Sequence, residues 1–268
     1  MLRRGLLVVT LGLLLAPAFS AQDLTEELFT ATRKGDAATV KALLEKGVDA
    51  NAKWRYGTTA LFFAADRGHT EVVKVLLEHG AQVNVKDTFY GMTPINRAAD
   101  KGHVAVVKML LEKGAEGKES ALMAGVSANN KELVEAVLEK GGLKADTLSV
   151  ALNNAERNKR TEIVELLKKA GAQPPPKADF QVDAETLQSY AGAYKGSDAD
   201  LTVVFKDGKL SVQTPGPTLP LGAIDKVTFR PGDFVAVTVI FKVEDGKVTG
   251  MTVKQGGNET FYKRVEAQ

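Results

Sequence analysis

The feature that most limits what this chain can fold into is an internal repeat. Residues 57–80 read GTTALFFAADRGHTEVVKVLLEHG, and residues 91–114 read GMTPINRAADKGHVAVVKMLLEKG. Thr59 and Thr93 lie 34 positions apart, as do Gly68 and Gly102, His69 and His103, and Gly80 and Gly114. A fixed period of this size means stacked supersecondary units, none of which can bury its apolar face alone. Within the units, Val73, Leu76, Leu77 and Val107, Leu110, Leu111 recur at i, i+3, i+4. That spacing marks one face of a helix. Val40, Leu43 and Leu44 carry the same face in an earlier copy, and Gly47 to Gly80 is 33 positions.

Each unit opens on Thr59-Ala60-Leu61-Phe62 or Thr93-Pro94-Ile95-Asn96, and the second closes on Leu110-Leu111-Glu112-Lys113-Gly114-Ala115. With Gly102-His103 between, these residues resemble the ankyrin repeat. The resemblance implies a helical solenoid with an interaction surface, and it leaves the partner unnamed. In the first repeat, Leu28-Phe29-Thr30-Ala31 opens a helix and Lys34-Gly35-Asp36 turns it. Two degenerate repeats follow, giving about five over residues 22–173. Their lost residues fall where a β-hairpin finger would stand, which predicts tight helix-to-helix connections. At the turn position held by Gly35, Gly68 and Gly102, these repeats carry Asn129 and then Lys159. Asn tolerates the left-handed conformation, and Lys does so less well. Lys168 stands where Leu77 and Leu111 stand, which suits the outer face of a terminal repeat.

Residues 1–20, MLRRGLLVVTLGLLLAPAFS, have a basic start at Arg3 and Arg4, an apolar run from Gly5 to Leu15, and small residues around Ser20 and Ala21. This pattern predicts a signal peptide cleaved near Ser20 or Ala21, too short in its apolar run for a membrane span. The expectation is a protein exported by a bacterium to the periplasm or secreted, with no stable membrane anchor after cleavage. Gln173-Pro174-Pro175-Pro176-Lys177 cannot continue a helix, and residues 174–179 read as a semi-rigid linker.

Residues 180–268 have a different texture. Ala184 to Tyr190 predicts a short helix. Six β-rich runs follow: Leu201–Phe205, Lys209–Gln213, Val227–Arg230, Phe234–Lys242, Lys247–Lys254 and Thr260–Arg264. Lys206-Asp207-Gly208 and Glu244-Asp245-Gly246 are hairpin signals. Six to eight antiparallel strands predict a sheet that curls into a small barrel. Leu187 through Tyr194, Asp207-Gly208-Lys209-Leu210, Leu219-Pro220-Leu221, Phe229, Ile240-Phe241 and Asp245-Gly246-Lys247-Val248 are similar to the lipocalin-like accessory domain of bacterial β-lactamase-class serine hydrolases. The fold expectation is therefore multidomain: an α-helical solenoid followed by an antiparallel β-domain.

Few classes of chemistry fit. No cysteine is present, so disulfides and thiol catalysis are excluded. No serine is followed three residues later by lysine, as that hydrolase class requires, and no Gly-x-Ser-x-Gly elbow occurs. The three histidines, His69, His79 and His103, have no zinc spacing around them. His69 and His103 read as helix-start hydrogen-bonding residues and His79 as a solvated one. No enzyme, cofactor or metal is expected. The chain carries 35 basic and 33 acidic side chains, a balance that lacks the footprint of a nucleic-acid binder.

What remains is a protein partner. The fingers carry Trp54, Arg55 and Tyr56, then Phe89 and Tyr90, where ankyrin fingers usually carry Asp, Asn and Gly. Aromatics with arginine are the stuff of interface hot spots. By repeat position Phe63, Arg67, Arg97 and Lys101 line the neighbouring helices. Trp54 and Phe89 read as partner-facing, whereas Tyr56 and Tyr90 divide evenly between that role and packing onto the stack. The alternatives are contact between this patch and the chain's own β-domain, and a carrier role in which the barrel holds a small apolar ligand. Val203, Phe205, Phe229, Val237, Val239 and Phe241 would line the barrel interior, and a filled core is the plainer reading of them.

Overall fold

The computed structural model describes residues 21–265 apart from residues 198, 215 and 233. The expected signal peptide, residues 1–20, lies outside the described residues. The chain packs as two units, Met1–Gly125 and Val126–Gln268. The expected linker at 174–179 falls inside the second.

The first unit holds α1 (Ala21–Lys34), α2 (Ala37–Glu45), α3 (Ala60–Arg67), α4 (Thr70–Glu78), α5 (Pro94–Asp100) and α6 (Val104–Glu112). Helix α7 (Lys118–Ala128) crosses the division. Helix α1 begins well before the expected Leu28. Residues 21–27, AQDLTEE, lack Gly and Pro, and Asp23 in the first turn suits the helix dipole. Thr59 starts α3 by accepting the Phe62 N–H at 3.3 Å. Thr93 and Asn96 form a reciprocal capping box on α5, with Pro94 in its first turn.

Each repeat is fastened to its neighbour by polar side chains as well as by apolar burial. His69 and His103 stand at the starts of α4 and α6 but do not cap them. Their Nε2 atoms reach back to the Arg33 and Asp66 carbonyls, at 3.2 and 3.1 Å. Asn51 donates to the Gly80 carbonyl and accepts from the Gln82 N–H. Asn84 does the same with Gly114 and Glu116. These bonds satisfy backbone groups left over at helix ends. His79 instead bonds the Val75 carbonyl of its own helix. Between helices, Val40, Leu43, Val73, Leu76, Val107 and Leu110 are buried. Truncating one such leucine to alanine costs about 2–5 kcal/mol.

The second unit continues with α8 (Lys131–Lys140), α9 (Ala145–Arg157) and α10 (Thr161–Lys169). The connection from α8 to α9 is short, as expected. Asn129 and Lys159 adopt φ of 54° and 55°, so both take the left-handed turn that glycine takes in earlier repeats. Helix α11 (Ala184–Tyr190) then leads into eight strands. They are β1 (Gly192–Lys195), β2 (Asp200–Lys206), β3 (Lys209–Gln213), β4 (Leu219–Ala223), β5 (Thr228–Pro231), β6 (Val237–Glu244), β7 (Lys247–Gln255) and β8 (Asn258–Arg264).

These strands form a closed antiparallel barrel in sequential order, with β1 pairing β8 through Tyr194 and Arg264. The six β-rich runs fall on six of the eight strands, and eight is the upper end of the expected number. Strand β1 is only four residues long, and β4 contains Pro220 and Gly222, which argue against a strand in isolation. Strand β6 starts at Val237 rather than Phe234, because Phe234 donates its N–H back to the Pro231 carbonyl in a turn. Both expected hairpins form, with Asp207 and Asp245 at φ of 51° and 49°. Tyr190 and Tyr194 belong to the buried core of this part. Tyr190 stacks on Phe241 at 4.3 Å between ring centres, and Tyr194 donates its hydroxyl to the Tyr190 carbonyl at 2.7 Å. Val203, Phe229, Val239 and Phe241 belong to the same buried cluster, with Phe205 partly buried against it and Val237 half-buried.

Candidate functional site

The two fingers of the first unit create the most distinctive surface. Neither is a regular β-ladder. The first is closed by the Trp54 N–H on the Thr58 carbonyl at 2.7 Å, and the second by the Asp87 N–H on the Met92 carbonyl at 2.9 Å. The Thr88 N–H donates to the Tyr56 carbonyl, which joins one finger to the next. Tyr56 has φ of 57°, in the left-handed region that a residue with a side chain seldom enters.

Asp87 organises the second finger. It is 6 % exposed, and its carboxylate accepts from the Phe89, Tyr90 and Met92 N–H groups at 2.9, 2.7 and 2.8 Å. Burial alone would push its pKa up. The N–H groups of Tyr90, Phe89 and Met92, with the charge of Arg97, more than offset this and hold it below the usual carboxylate value. The finger is thus wound around a buried anion, and its aromatic rings are turned outward.

A cavity of about 400 Å³ opens between the fingers and helices α3 and α5. Tyr56, Phe62, Phe63, Phe89, Tyr90 and Met92 form its apolar wall, and Asp66, Asp87 and Arg97 are its charged groups. Tyr56 and Phe89 meet edge to face at 5.6 Å, and Phe89 and Tyr90 at 4.4 Å. Despite these contacts Tyr56, Phe89 and Tyr90 remain 64 %, 64 % and 78 % exposed. Arg97 donates from Nε to Asp66 at 3.0 Å, pairing across adjacent repeats. This pair is part of the cavity lining, beside rings that face water.

Of the residues expected at the site, Tyr56, Phe63, Phe89, Tyr90 and Arg97 come together around this cavity. Arg55, Arg67 and Lys101 are exposed but do not line it. Trp54 is only half-exposed. Its ring packs 4.9 Å from Phe29, under the Arg33 guanidinium at 5.6 Å. Sequence reasoning missed Phe62, Asp66, Asp87 and Met92. Phe62 was the most legible of these, since it stands fourth in an opening tetrad that in ankyrin repeats usually reads Thr-Pro-Leu-His. Among the described residues, no group of three or more His, Cys, Asp or Glu could hold a metal ion. No helix among them is long and apolar enough to cross a membrane.

Residues 28–120 match the family model described as Ankyrin repeats (3 copies). The chain therefore contains ankyrin repeats over those residues, and the match ends before the barrel. Such repeats make this part a protein–protein interaction module. No curated protein matches the chain.

Proposed function

We propose that this chain is an exported, non-enzymatic adaptor that binds a protein partner through the aromatic finger face of its ankyrin repeats. One observation carries this reading: Tyr56, Phe89 and Tyr90 are held outward beside a 400 Å³ apolar cavity. Soluble surfaces seldom spend three large rings in one patch unless something covers them. The rings are stiff, and Asp87 fixes the backbone beneath two of them, so little ordering entropy is lost on association. The apolar leader sequence supports export to the periplasm or beyond.

A carrier role for the barrel is the second reading. The closed eight-strand form suits it. Tyr190, Tyr194, Phe229 and Phe241 occupy the interior, which favours a structural core instead. The likeness of this barrel to the accessory domain of β-lactamase-class hydrolases rests on its sequence motifs alone.

The test is a crosslinking capture from the native envelope fraction. The chain is compared with a Phe89→Asp/Tyr90→Asp double variant and with Trp54→Phe. The adaptor reading expects one protein captured by the parent and by Trp54→Phe, and lost with the double variant. Equal capture by all three would sink it.

A further inference from the structure

Near-neutral total charge conceals a strong local imbalance. Residues 53–67 and 86–101, which supply both fingers and both inner helices, carry Lys53, Arg55, Arg67, Lys86, Arg97 and Lys101 against Asp66, Asp87 and Asp100. The excess is six minus three, or +3, and only one of the three carboxylates is exposed to meet a partner. Asp66 is committed to Arg97, and Asp87 is buried with both oxygens accepting backbone N–H groups. Asp100 is the one carboxylate of these segments that is exposed and outside those bonds. Lys53, Arg55, Arg67, Lys86 and Lys101 are all exposed, and among the described residues none has an ion-pair partner.

Three of these cations are chain neighbours of cavity residues. Arg55 adjoins Tyr56, Lys86 adjoins Asp87, and Arg67 adjoins Asp66, all three being cavity residues. Lys101 lies one helical turn beyond Arg97. Elsewhere in the repeats, exposed lysines such as Lys41 and Lys131 find a glutamate. The segments between and after the fingers, 68–85 and 102–116, carry Lys74, Lys108 and Lys113 against Glu71, Glu78, Glu112 and Glu116, so positive charge is left over on the finger segments.

We infer that the partner presents an acidic peptide segment bearing an aromatic or large aliphatic anchor. The anchor enters the cavity against Phe62, Phe63 and Met92, and the flanking Asp or Glu side chains meet Arg55, Lys86, Arg67 and Lys101. The inference rests on the adaptor reading and specifies its chemistry. Apolar burial in the cavity supplies most of the affinity, whereas the charged rim sets on-rate and partner choice. A Lys/Arg-rich segment would meet like charge at the five exposed cations, which is how such a surface rejects wrong partners.

The experiment is selection of a random dodecapeptide phage library on the immobilised chain. Selected peptides are then measured by fluorescence anisotropy against the parent, Arg55→Glu/Lys86→Glu and Phe89→Asp. The expected result is enrichment of Asp and Glu around a single Trp, Phe or Leu. Charge reversal should weaken binding by about tenfold at low salt, and the difference should shrink severalfold at 1 M salt. Enrichment of basic or uncharged peptides that are lost with Phe89→Asp would overturn the inference while leaving the finger site intact. Peptides that ignore Phe89→Asp, or a library that yields no binder, would overturn the finger reading itself. A fluorescein-labelled oligo-dT that displaces the peptides with comparable affinity would mark the face as a general polyanion site and also defeat the proposal.

Discussion

Replacing Asp87 with alanine tests whether one buried carboxylate shapes the binding face. The change removes the acceptor for three backbone N–H groups, those of Phe89, Tyr90 and Met92. Each bond to a charged acceptor is worth about 1.5–3 kcal/mol when fully sheltered. The finger lies at the rim of the stack, so water will replace part of the loss. The expected cost is therefore about 1.5–3 kcal/mol in all, with most of the disorder confined to residues 86–92. Amide hydrogen exchange read residue by residue is the assay. Phe89, Tyr90 and Met92 should lose protection, while Leu76 and Leu110 in the core should change only by the global shift. Asp87→Asn should fall between, because an amide offers one acceptor oxygen where the carboxylate offers two. The same bond set predicts a pH effect. Folding holds this carboxyl below its unfolded value of about 3.9, so the unfolded chain takes up the proton first on acidification. The stabilisation is complete above that range and is lost as pH falls through the folded-state value. Unchanged exchange at Phe89 and Tyr90 in Asp87→Ala would refute the reasoning, since the finger would then be held by something else.

Other consequences can be tested by denaturant titration and titration of the phenols. Gly68→Ala should cost about 2–4 kcal/mol, because its Cβ would sit 2.6 Å from the His103 ring in addition to the left-handed strain. Gly80→Ala has a similar φ of 80° but nothing within 4 Å, so it should cost only about 1–2 kcal/mol; equal losses would deny His103 its packed position. Lys159→Gly should stabilise by up to about 1 kcal/mol by relieving a positive φ at an exposed site, and a loss of stability would contradict that. Burial pushes the Tyr194 hydroxyl up to about 12, so its contribution is present below the ordinary phenol value of about 10 and is lost as pH rises through 12. Tyr194→Phe should cost about 1–2 kcal/mol by leaving the Tyr190 carbonyl without its 2.7 Å donor, and should delete a phenol that ionises at about 12.

Local rules were written plainly in this sequence. The 34-residue period, Thr caps, apolar spacing and Asp-Gly turns each depend on residues close in the chain, so repeats and hairpins could be read directly. Even Asn129 and Lys159 betrayed their left-handed backbone by alignment with Gly35, Gly68 and Gly102. Strand β4 escaped because Pro220 and Gly222 oppose a strand locally, and only pairing on both sides stabilises it. The binding face escaped in part for a similar reason. Trp54 and Phe89 look alike as finger aromatics, yet Phe29 and Arg33 draw Trp54 inward and the Asp87 bonds turn Phe89 out. Total charge could not disclose the basic rim, since carboxylates in other segments balance it in the sum of 35 basic and 33 acidic side chains. Sequence alone determined the repeat architecture and the existence of aromatic fingers. Tertiary structure decided that Trp54 turns inward and that Asp66 is taken by Arg97, because both depend on contacts between residues of different repeats, 25 and 31 positions apart.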